Sequence, residues 1–473
     1  MGDYLPHTEA EIAAMLDFIG LGSLDELFEA VPEALRIVGG LDLPVGQSEP
    51  DVLAHVEALA DANAARADRL VCFAGAGAYD HEVPPVVRAL AGRSEFVTSY
   101  TPYQPEVAQG VLQAMFEFQT MAARLAGLPV ANASLYDGAS ALVEGVNLGV
   151  AASGRPGVWV SAGIHPHWRR VLGTFAAGTG HQLRTIPLLD GRTVWPADAG
   201  PADAGLADAG PPEGTAHPGP PGVLVVGYPN YLGCLEDLGE ARRRCDELGA
   251  QLVVAADPVA AGILRSPGEW GADVVVGEGQ ALGTALGFGG PYLGLFACSA
   301  AHVRRLPGRL VGETVDRTGT TAYVTTLRAR EQDIRRERAT SNVCTNQTLM
   351  AVTAAIQLGW LGTAGLAEVA LRCARGARYC RQALLGLDGV TPLTGDTPVV
   401  REFAVHTPVP AATVIDRLAE EGFLAGVALD ALTGGEDPSC ADPAQALLVA
   451  VTERRTARQI DTYVTAFDKA VRS

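Results

Sequence analysis

The chain has 473 residues, of which 48% are hydrophobic, and a formal net charge of −19. This length allows one large domain with a smaller one attached, and the hydrophobic fraction can fill sizeable cores. The charge excludes nucleic acid and anionic membrane surfaces as partners, because both are bound largely through Lys and Arg. Pro and Gly interrupt the longest apolar runs well before the roughly 20 residues that a membrane span needs, so we expect no membrane-spanning segment.

Cysteine usage and the N-terminal sequence predict the compartment. Eight cysteines are scattered along the chain without a CxxC pair or the spacing of a metal site. This pattern favours a reducing compartment over a disulfide framework. The first residues, MGDYLPHTEAEIAAM, lack the basic stretch and apolar core of a secretory signal. We therefore predict a cytoplasmic protein with no bound metal.

Arginine supplies nearly all of the positive charge. Among 35 Lys and Arg residues the only lysine is Lys469, close to the end of the chain. A GC-rich coding bias explains an excess of arginine, but it does not explain the loss of a catalytic lysine. Arginine stays protonated and cannot form a stable Schiff base in place of lysine. The sequence therefore argues against chemistry that needs an active-site lysine in this chain.

The first 70 residues predict short amphipathic helices. Thr8 with Glu11, and Ser23 with Glu26, fit capping boxes, in which a hydroxyl and a carboxylate satisfy the free amides of a first helical turn. Apolar residues then recur at helical spacing. We interpret this part as an N-terminal helical arm.

Residues 71–330 predict a large α/β domain. Short apolar runs (VCF, VWVS, VLVV, QLVVAA, ADVVV and LGLFA) alternate with helical patterns. Continuous apolar strands are typical of a mostly parallel sheet covered on both faces. A long helix is predicted over 105–126, with Val107 on its buried face and Gly127 as its stop.

Two further segments complete the chain. Residues 196–222 are rich in Pro, Gly, Ala and Asp, and we predict a disordered surface insertion between two strands. Residues 331–473 alternate helical patterns with strands near VVREFAVHT and ALLVAVT. The sequence thus predicts a large doubly wound α/β domain followed by a smaller α+β C-terminal domain, which several enzyme superfamilies share.

The stretch NASLYDGASALVEG places Gly138 and Ser140 in the first turn of a predicted helix. Backbone amides there could hold a phosphate. Asp137 argues against this use, because a carboxylate repels an anion and can itself cap the helix. We favour capping.

Asp257 ends the predicted strand QLVVAADP. An aspartate at such a strand end can pair with the pyridine nitrogen of pyridoxal phosphate and strengthen the ring as an electron sink. An Asp-Pro after a strand is also an ordinary turn. From these residues alone we favour the turn.

The segment AGAGAYDHEVPPVV resembles a phosphate-binding loop only superficially. It has Gly75 and Gly77 but lacks a third glycine, and two prolines stand where a helix should follow. A dinucleotide site is therefore excluded. His81 in this segment is interpreted as a structural or interface residue and not as a base.

Two polar segments could line a pocket or a partner surface. The loop SYTPYQPE contains Tyr100, Tyr103 and Gln104, although a helix N-terminus beginning with Pro explains its sequence equally well. A polar run after a highly charged stretch contains Ser341 and Asn342. This run is harder to explain as plain surface.

Several long segments together resemble the P-protein family of the glycine cleavage system, in the branch where the P-protein is split into two chains and this one corresponds to subunit 1. The segments are YLPHTEAEI, FAGAGAYDHEVP, SYTPYQPEVAQG, ANASLYDGAS, DPVAAGILRSPGEWGADVVVGEGQALGTALGFGGPYLG and REQDIRRERATSNVCTNQ. The resemblance covers nearly the whole chain. Only the Asp-Ala-Gly insertion departs from the family pattern.

The resemblance implies a fold type I pyridoxal-phosphate transferase-like architecture. In subunit 2 the segment equivalent to GADVVVGEGQALG carries a His-Lys pair, and alignment from GAD places Gln280 and Ala281 at that pair. The resemblance therefore implies a degenerate lysine position at Ala281 and no catalytic residue in this chain. It leaves a relic pocket around Asp257, Gly138 and Ser140 in which no cofactor is expected.

The resemblance also implies partners and an activity. With subunit 2 the chain would decarboxylate glycine through pyridoxal phosphate, which the partner holds, and pass the aminomethyl group to the lipoyl arm of the H-protein, with T- and L-proteins functionally linked. The chain would be an oxidoreductase subunit that is inactive alone. Tyr100, Tyr103, Gln104, Ser341 and Asn342 are the expected interface or substrate-channel residues. The alternative is a stand-alone regulatory or ligand-binding pseudoenzyme of the same fold.

Overall fold

A computed structural model describes residues 6–37, 41–63, 70–99, 101–196, 219–339, 341–435, 440 and 442–472. The chain divides into two units, residues 1–64 and 65–473. Tyr100 and most of the predicted insertion, at 197–218, lie outside the described residues. The predicted domain boundaries at 70 and 330 stay predictions.

The N-terminal unit contains two α-helices, α1 (Glu9–Ile19) and α2 (Glu49–Asp61). The first predicted capping box is confirmed, because the Glu11 amide donates to the Thr8 hydroxyl at 3.3 Å and the Thr8 amide donates to the Glu11 carboxylate at 2.7 Å. The second is wrong. Ser23 precedes a 3₁₀ helix, and its hydroxyl donates to the Glu26 carboxylate instead of accepting from a backbone amide.

The larger unit contains eleven α-helices and seventeen strands among its described residues. The helices are α3 (Pro85–Ala91), α4 (Ser94–Val97), α5 (Gln109–Ala126), α6 (Gly138–Ser153), α7 (Pro166–Thr179), α8 (Leu238–Leu248), α9 (Gln332–Arg335), α10 (Thr348–Leu385), α11 (Ala411–Glu420), α12 (Leu429–Thr433) and α13 (Ala457–Arg472). The strands are β1 (Val71–Cys72), β2 (Val130–Ala131), β3 (Gly157–Ser161), β4 (Gln182–Ile186), β5 (Leu188–Leu189), β6 (Arg192–Thr193), β7 (Val223–Tyr228), β8 (Gln251–Ala256), β9 (Val274–Glu278), β10 (Gly294–Cys298), β11 (Leu310–Val315), β12 (Thr321–Thr326), β13 (Thr391–Pro392), β14 (Glu402–His406), β15 (Phe423–Leu424), β16 (Val427–Ala428) and β17 (Ala446–Ala450).

A seven-stranded sheet forms the centre of the larger unit, in the order β2-β10-β9-β8-β7-β3-β4. Strands β4, β3, β7, β8 and β9 are parallel, whereas β10 is antiparallel to both of its neighbours. The prediction of a mostly parallel sheet is confirmed, although β10 runs in the other direction. The run LGLFA forms the antiparallel strand β10, whose direction its apolar sequence does not reveal.

Helices cover both faces of this sheet. Successive residues of a strand point to opposite faces, and in β7 the side chains of Leu224 and Val226 enter the core that contains α5, whereas Val223 and Val225 enter the core that contains α6. All four side chains are buried. This two-sided burial explains why the strand has no polar alternation and confirms the doubly wound arrangement.

The predicted long helix is shorter than its sequence pattern indicates. It begins at Gln109, because Pro105–Val107 forms a 3₁₀ turn. Val107 is 78% exposed and does not lie on the buried face of α5. Gly127 ends the helix in the left-handed conformation, with φ +69°, as predicted.

The C-terminal part contains a four-stranded antiparallel sheet, in the order β13-β14-β17-β16. Apolar residues of α11 and α13 share a core with β14 and β17. This is the α+β arrangement that the sequence predicts.

The strand predicted from VCF belongs with this C-terminal core and not with the parallel sheet. β1 pairs in parallel with β15. Phe73, directly after β1, stacks on Tyr463 of α13 with ring centroids 4.0 Å apart. Local apolar sequence predicts the strand, but this long-range aromatic packing determines its partner.

One helix in the part of the chain that the structure describes, α10, is long and apolar enough to span a membrane by length and composition alone. It is broken at Gly362, where φ is 60° and ψ is −175°. Ala351, Val352 and Ala354 before the break pack in the core of the seven-stranded sheet, and Ala377 and Cys380 after it pack in the C-terminal core. Such packing is typical of a core helix.

Replacing Phe73 by Ala should destabilise the protein by roughly 3–5 kcal/mol, because the fully buried ring leaves a cavity beside Tyr463. The matched control is Phe175→Ala on α7, where the ring is 50% exposed and the expected loss is below about 0.5 kcal/mol. Denaturant unfolding followed by circular dichroism measures both. Equal losses in the two variants would contradict the assignment of Phe73 to the C-terminal core.

Candidate active site

A cleft of about 110 Å³ opens beyond the carboxyl ends of β3, β7, β8 and β9. Ligands of open α/β sheets usually bind at this edge. The C-terminal sheet supplies part of one wall. The polar side chains that line the cleft are Tyr79, His165, Trp168, Asn230, Tyr231, Asp257, Glu278, Gln280, Arg401 and Glu402.

Asp257 lies in this cleft and is already paired. Its Oδ2 accepts from Arg401 Nη2 at 2.5 Å, and its Oδ1 accepts from the Val259 amide at 2.9 Å. The second bond is the turn that the Asp-Pro sequence favours. Because a guanidinium holds the other oxygen, the carboxylate does not face the cleft as a free partner for a pyridine nitrogen.

Arg401 connects Asp257 to the loop before α3. Its Nη1 lies 2.7 Å from His81 Nε2, and its guanidinium lies over the Tyr79 ring, 3.4 Å from the centroid. Arginine has only donors, so His81 Nε2 must accept and the ring proton sits on Nδ1. That Nδ1–H donates to Glu453 Oε2 at 2.6 Å. His81 is therefore held as a structural residue, as the sequence indicates.

Three groups beside Arg401 come close enough to suggest a metal site. One atom each from His81, Cys373 and Glu453 lies within 4.8 Å of the other two. A metal on His81 Nδ1 would force a proton onto Nε2, against the Arg401 donor. Burial also raises the pKa of the Cys373 thiol, which disfavours the thiolate that a metal needs. The arrangement does not suit a cation, and the absence of a metal stays a prediction.

The first turn of α6 is capped by a carboxylate, as the sequence favours. Asp137 Oδ1 accepts from the Ser140 amide at 2.7 Å. The Trp168 ring covers Gly138 so closely that a Cβ at this position would lie 2.2 Å from ring atom Cζ2. Gly138 and Ser140 therefore do not present a free anion-binding turn to the cleft.

Glu278 is a site residue that our sequence analysis did not identify. Its Oε2 accepts from the Gly138 amide, and its Oε1 accepts from the Gln280 and Leu293 amides, each at 2.9 Å. Burial raises the pKa of the Glu278 carboxyl to about 7, although these three amides favour the ionised form. The sequence does contain a signal, because an acidic residue ends the otherwise apolar strand VVVGE.

Gln280 and Ala281, at the expected degenerate lysine position, are hydrogen-bonded or packed within the chain. Gln280 Oε1 accepts from the Tyr79 amide at 2.9 Å, and its Nε2 donates to the Tyr79 and Thr284 carbonyls at 3.1 and 2.7 Å. Ala281 is 9% exposed and packs in a small apolar cluster. None of the described residues that line the cleft is a lysine. Lys469 lies on α13, 3.7 Å from the Glu421 carboxylate.

Two further titratable side chains that line the cleft, Glu402 and His165, are hydrogen-bonded within the chain. Glu402 accepts from the Ala76 amide and the Tyr79 hydroxyl, both at 2.7 Å, and burial raises the pKa of its carboxyl to about 7. His165 Nε2 donates to the Ala76 carbonyl at 2.9 Å, and burial lowers the pKa of the imidazole to about 4. His165 is thus neutral at neutral pH, with its Nε2 proton committed to the backbone.

The cleft does not fit pyridoxal phosphate, the cofactor that the family resemblance implies. The residue at the expected lysine position is Ala281, and the carboxylate of Asp257 is paired with Arg401. The amide of Gly138, at the start of α6, is taken by Glu278. The groups that would meet the aldehyde, the ring nitrogen and the phosphate are thus absent or engaged within the chain.

A second residue that our sequence analysis did not identify, Arg309, joins the two candidate interface segments. The Arg309 side chain is buried. Its Nη1 donates to Asn346 Oδ1 at 2.9 Å, and its Nη2 donates to the Cys344 carbonyl at 3.2 Å and contacts the Tyr103 hydroxyl at 3.4 Å. The loop that carries Tyr103 and the polar run after residue 340 therefore meet at one guanidinium.

The candidate interface residues differ in exposure. Tyr103 is 55% exposed, and Gln104 and Asn342 are also exposed. Ser341 is half-buried, and its hydroxyl accepts from the Val343 amide at 3.1 Å. Tyr100 lies outside the part of the chain that the structure describes. Three of the five side chains thus offer surface to a partner.

Comparisons with known proteins agree with this architecture. Residues 2–401 match the family described as Glycine cleavage system P-protein. The chain is 42% identical to the probable glycine dehydrogenase (decarboxylating) subunit 1 of Chlorobaculum parvum and 45% identical to that of Moorella thermoacetica, with 98% of each chain covered in both pairs.

Solved structures give the same result. A crystal structure of glycine decarboxylase (P-protein) of the glycine cleavage system, in inhibitor-bound form, has a TM-score of 0.87 and 43% identity, covering 99% of this chain and 100% of that one. An alanine–glyoxylate aminotransferase from Nostoc sp., 16% identical with a TM-score of 0.54, covers 86% of this chain and 96% of its own, and shares the fold alone. The predicted fold type I pyridoxal-phosphate transferase-like architecture is confirmed, and the chain belongs to the P-protein family of the glycine cleavage system.

Proposed function

We propose that this chain is the lysine-lacking subunit of a two-chain P-protein and that a lysine-bearing subunit 2 holds the pyridoxal phosphate. The observation that carries the proposal is the cleft itself. Alanine stands at the lysine position, and Asp257 and the amide of Gly138 are bonded to Arg401 and Glu278. A chain with this cleft needs a partner to supply the covalent chemistry.

The assembled protein, in this proposal, is an oxidoreductase that decarboxylates glycine and transfers the aminomethyl group to the lipoyl arm of an H-protein, in a system with T- and L-proteins. The names of relatives over almost the full length support this assignment. Bound in the partner, the cofactor would take up the electrons released as carbon dioxide leaves. This chain would contribute assembly surface and part of the substrate channel.

A stand-alone pseudoenzyme that binds a small ligand is the rival function. The interior of the cleft argues against it, because Asp257, Glu278, Gln280, Arg401 and Glu402 all have hydrogen-bond partners within the chain. A ligand site normally presents polar groups whose partners come from the ligand.

Exposed apolar side chains support a partner surface on the N-terminal unit. Within that unit Phe18 is 91% exposed, and Leu35, Leu43 and Val45 are also exposed. Several large apolar side chains exposed within one short unit favour association with another protein. We assign this unit and the Tyr103 region to contacts with subunit 2.

The cytoplasm is the proposed location. Seven of the eight cysteines are free thiols, namely Cys72, Cys234, Cys245, Cys298, Cys344, Cys373 and Cys380. Free cysteines, most of them buried, are typical of a reducing compartment.

The chain purified alone should show neither the absorbance of bound pyridoxal phosphate nor glycine-dependent exchange of carbon dioxide, and adding subunit 2 should produce both. The reason is that an amine on the partner must hold the cofactor. Lys469→Arg should leave the reconstituted activity within about twofold of wild type, because this exposed residue pairs with Glu421 at the surface and arginine keeps the charge. Cofactor bound to the isolated chain, or loss of activity in Lys469→Arg, would contradict the proposed function.

Asn342→Arg should weaken binding to subunit 2 at least about tenfold, because a long charged side chain would enter the proposed interface without a partner. Asn342 is exposed, so the thermal stability of the variant alone should equal that of wild type. Thr462→Arg, on the exposed side of α13, is the matched control and should bind normally. Calorimetric titration with subunit 2 measures the affinities, and equal affinity of both variants would place the interface elsewhere.

A further inference from the structure

We propose that the Glu278 carboxylate is a built-in anion that takes the place of the cofactor's phosphate group and closes the cleft to phosphate-bearing ligands, whether or not a lysine is supplied. This inference deepens the proposed function, because it names the residue that makes the cleft unsuitable for the cofactor.

Three backbone amides converge on the Glu278 carboxylate. The amides of Gly138, Gln280 and Leu293 come from the start of α6, the residues after β9 and the residues before β10, and all three donate to the Glu278 carboxylate at 2.9 Å. Backbone amides that converge from separate segments form a site for an anion. Above pH 7, where the Glu278 carboxyl is mostly ionised, this anion is covalently part of the chain.

The Glu278 carboxylate lies at the N-terminal end of α6. This helix has 16 residues, and the positive end of its dipole lies at Gly138. Asp137 already accepts from the Ser140 amide, which leaves the Gly138 amide for Glu278. A buried carboxylate is costly unless its oxygens accept hydrogen bonds, and both oxygens of Glu278 do.

Little space is left around Gly138. A Cβ on Gly138 would lie 2.2 Å from the Trp168 ring and 3.1 Å from Glu278 Cβ. A phosphate that accepted from the Gly138 amide would have to displace the Glu278 carboxylate that already does so. Ala281→Lys alone therefore leaves the phosphate end of the cleft occupied.

The test removes the carboxylate and asks whether a free anion replaces it. Glu278→Ala in the full chain leaves three buried donors unpaired, so its melting temperature should fall. Inorganic phosphate at pH 8 should bind there and raise the melting temperature of the variant by about 3 °C or more relative to sodium chloride of equal ionic strength. Wild type should show no such difference, because its own carboxylate occupies the donors.

Glu144→Ala is the matched control. Glu144 is also buried on α6, and burial raises the pKa of its carboxyl to about 7. Its partners are the side chains of Ser341 and Asn147 and not converging amides. Loss of this carboxylate should destabilise the chain without any response to phosphate. An equal response in Glu144→Ala and Glu278→Ala, or none in Glu278→Ala, would overturn the proposal.

A milder variant keeps the proposal testable if Glu278→Ala does not fold. Glu278→Gln has the same size but places an NH₂ group among the three donors, so hydrogen exchange at the Gly138 or Gln280 amide should be at least about tenfold faster than in wild type. Unchanged exchange at both amides would contradict the inference. Neither result depends on where the cofactor resides, whereas cofactor found on the isolated wild-type chain would contradict the proposed function.

Discussion

The buried ion pair between Arg401 and Asp257 is the interaction on which the cleft depends. It joins the segment before β14 of the C-terminal sheet to the carboxyl end of β8 in the seven-stranded sheet. Breaking one partner of a buried pair costs several kcal/mol because the other charge is left uncompensated. This ion pair therefore fixes three features at once: the position of the C-terminal sheet, the orientation of His81 and the pairing of Asp257.

Two interactions in the cleft satisfy charge in the same way. Arg401 supplies a positive group to Asp257, and Glu278 supplies a carboxylate to the amide at the start of α6. Each charge meets its complement within the chain, so the low-dielectric interior contains no large unpaired charge at these points. These two interactions support the proposal that this chain holds no cofactor, in addition to the alanine at the expected lysine position.

Local sequence predicts most of the fold but little of the cleft. The apolar strands identify the sheet because burial on both faces leaves a continuous signal, and Asp137 identifies the start of α6 because capping is local. The pairing of β1 with β15 and the roles of Arg401 and Glu278 depend on residues far apart in the chain. The local sequence around one arginine among many, or around a glutamate at a strand end, does not predict which distant groups that side chain will contact.

The break in α10 lets one helix contribute to both cores of the larger unit. Ala351 before Gly362 lies in the core of the seven-stranded sheet, and Ala377 after it lies in the C-terminal core. The φ of 60° at Gly362 is a conformation that other residues adopt only with strain. Because Ala370, after the break, still packs with Val259 and Ala281, both sides of the break are held by packing. A larger residue at Gly362 would therefore strain an element that the two cores share.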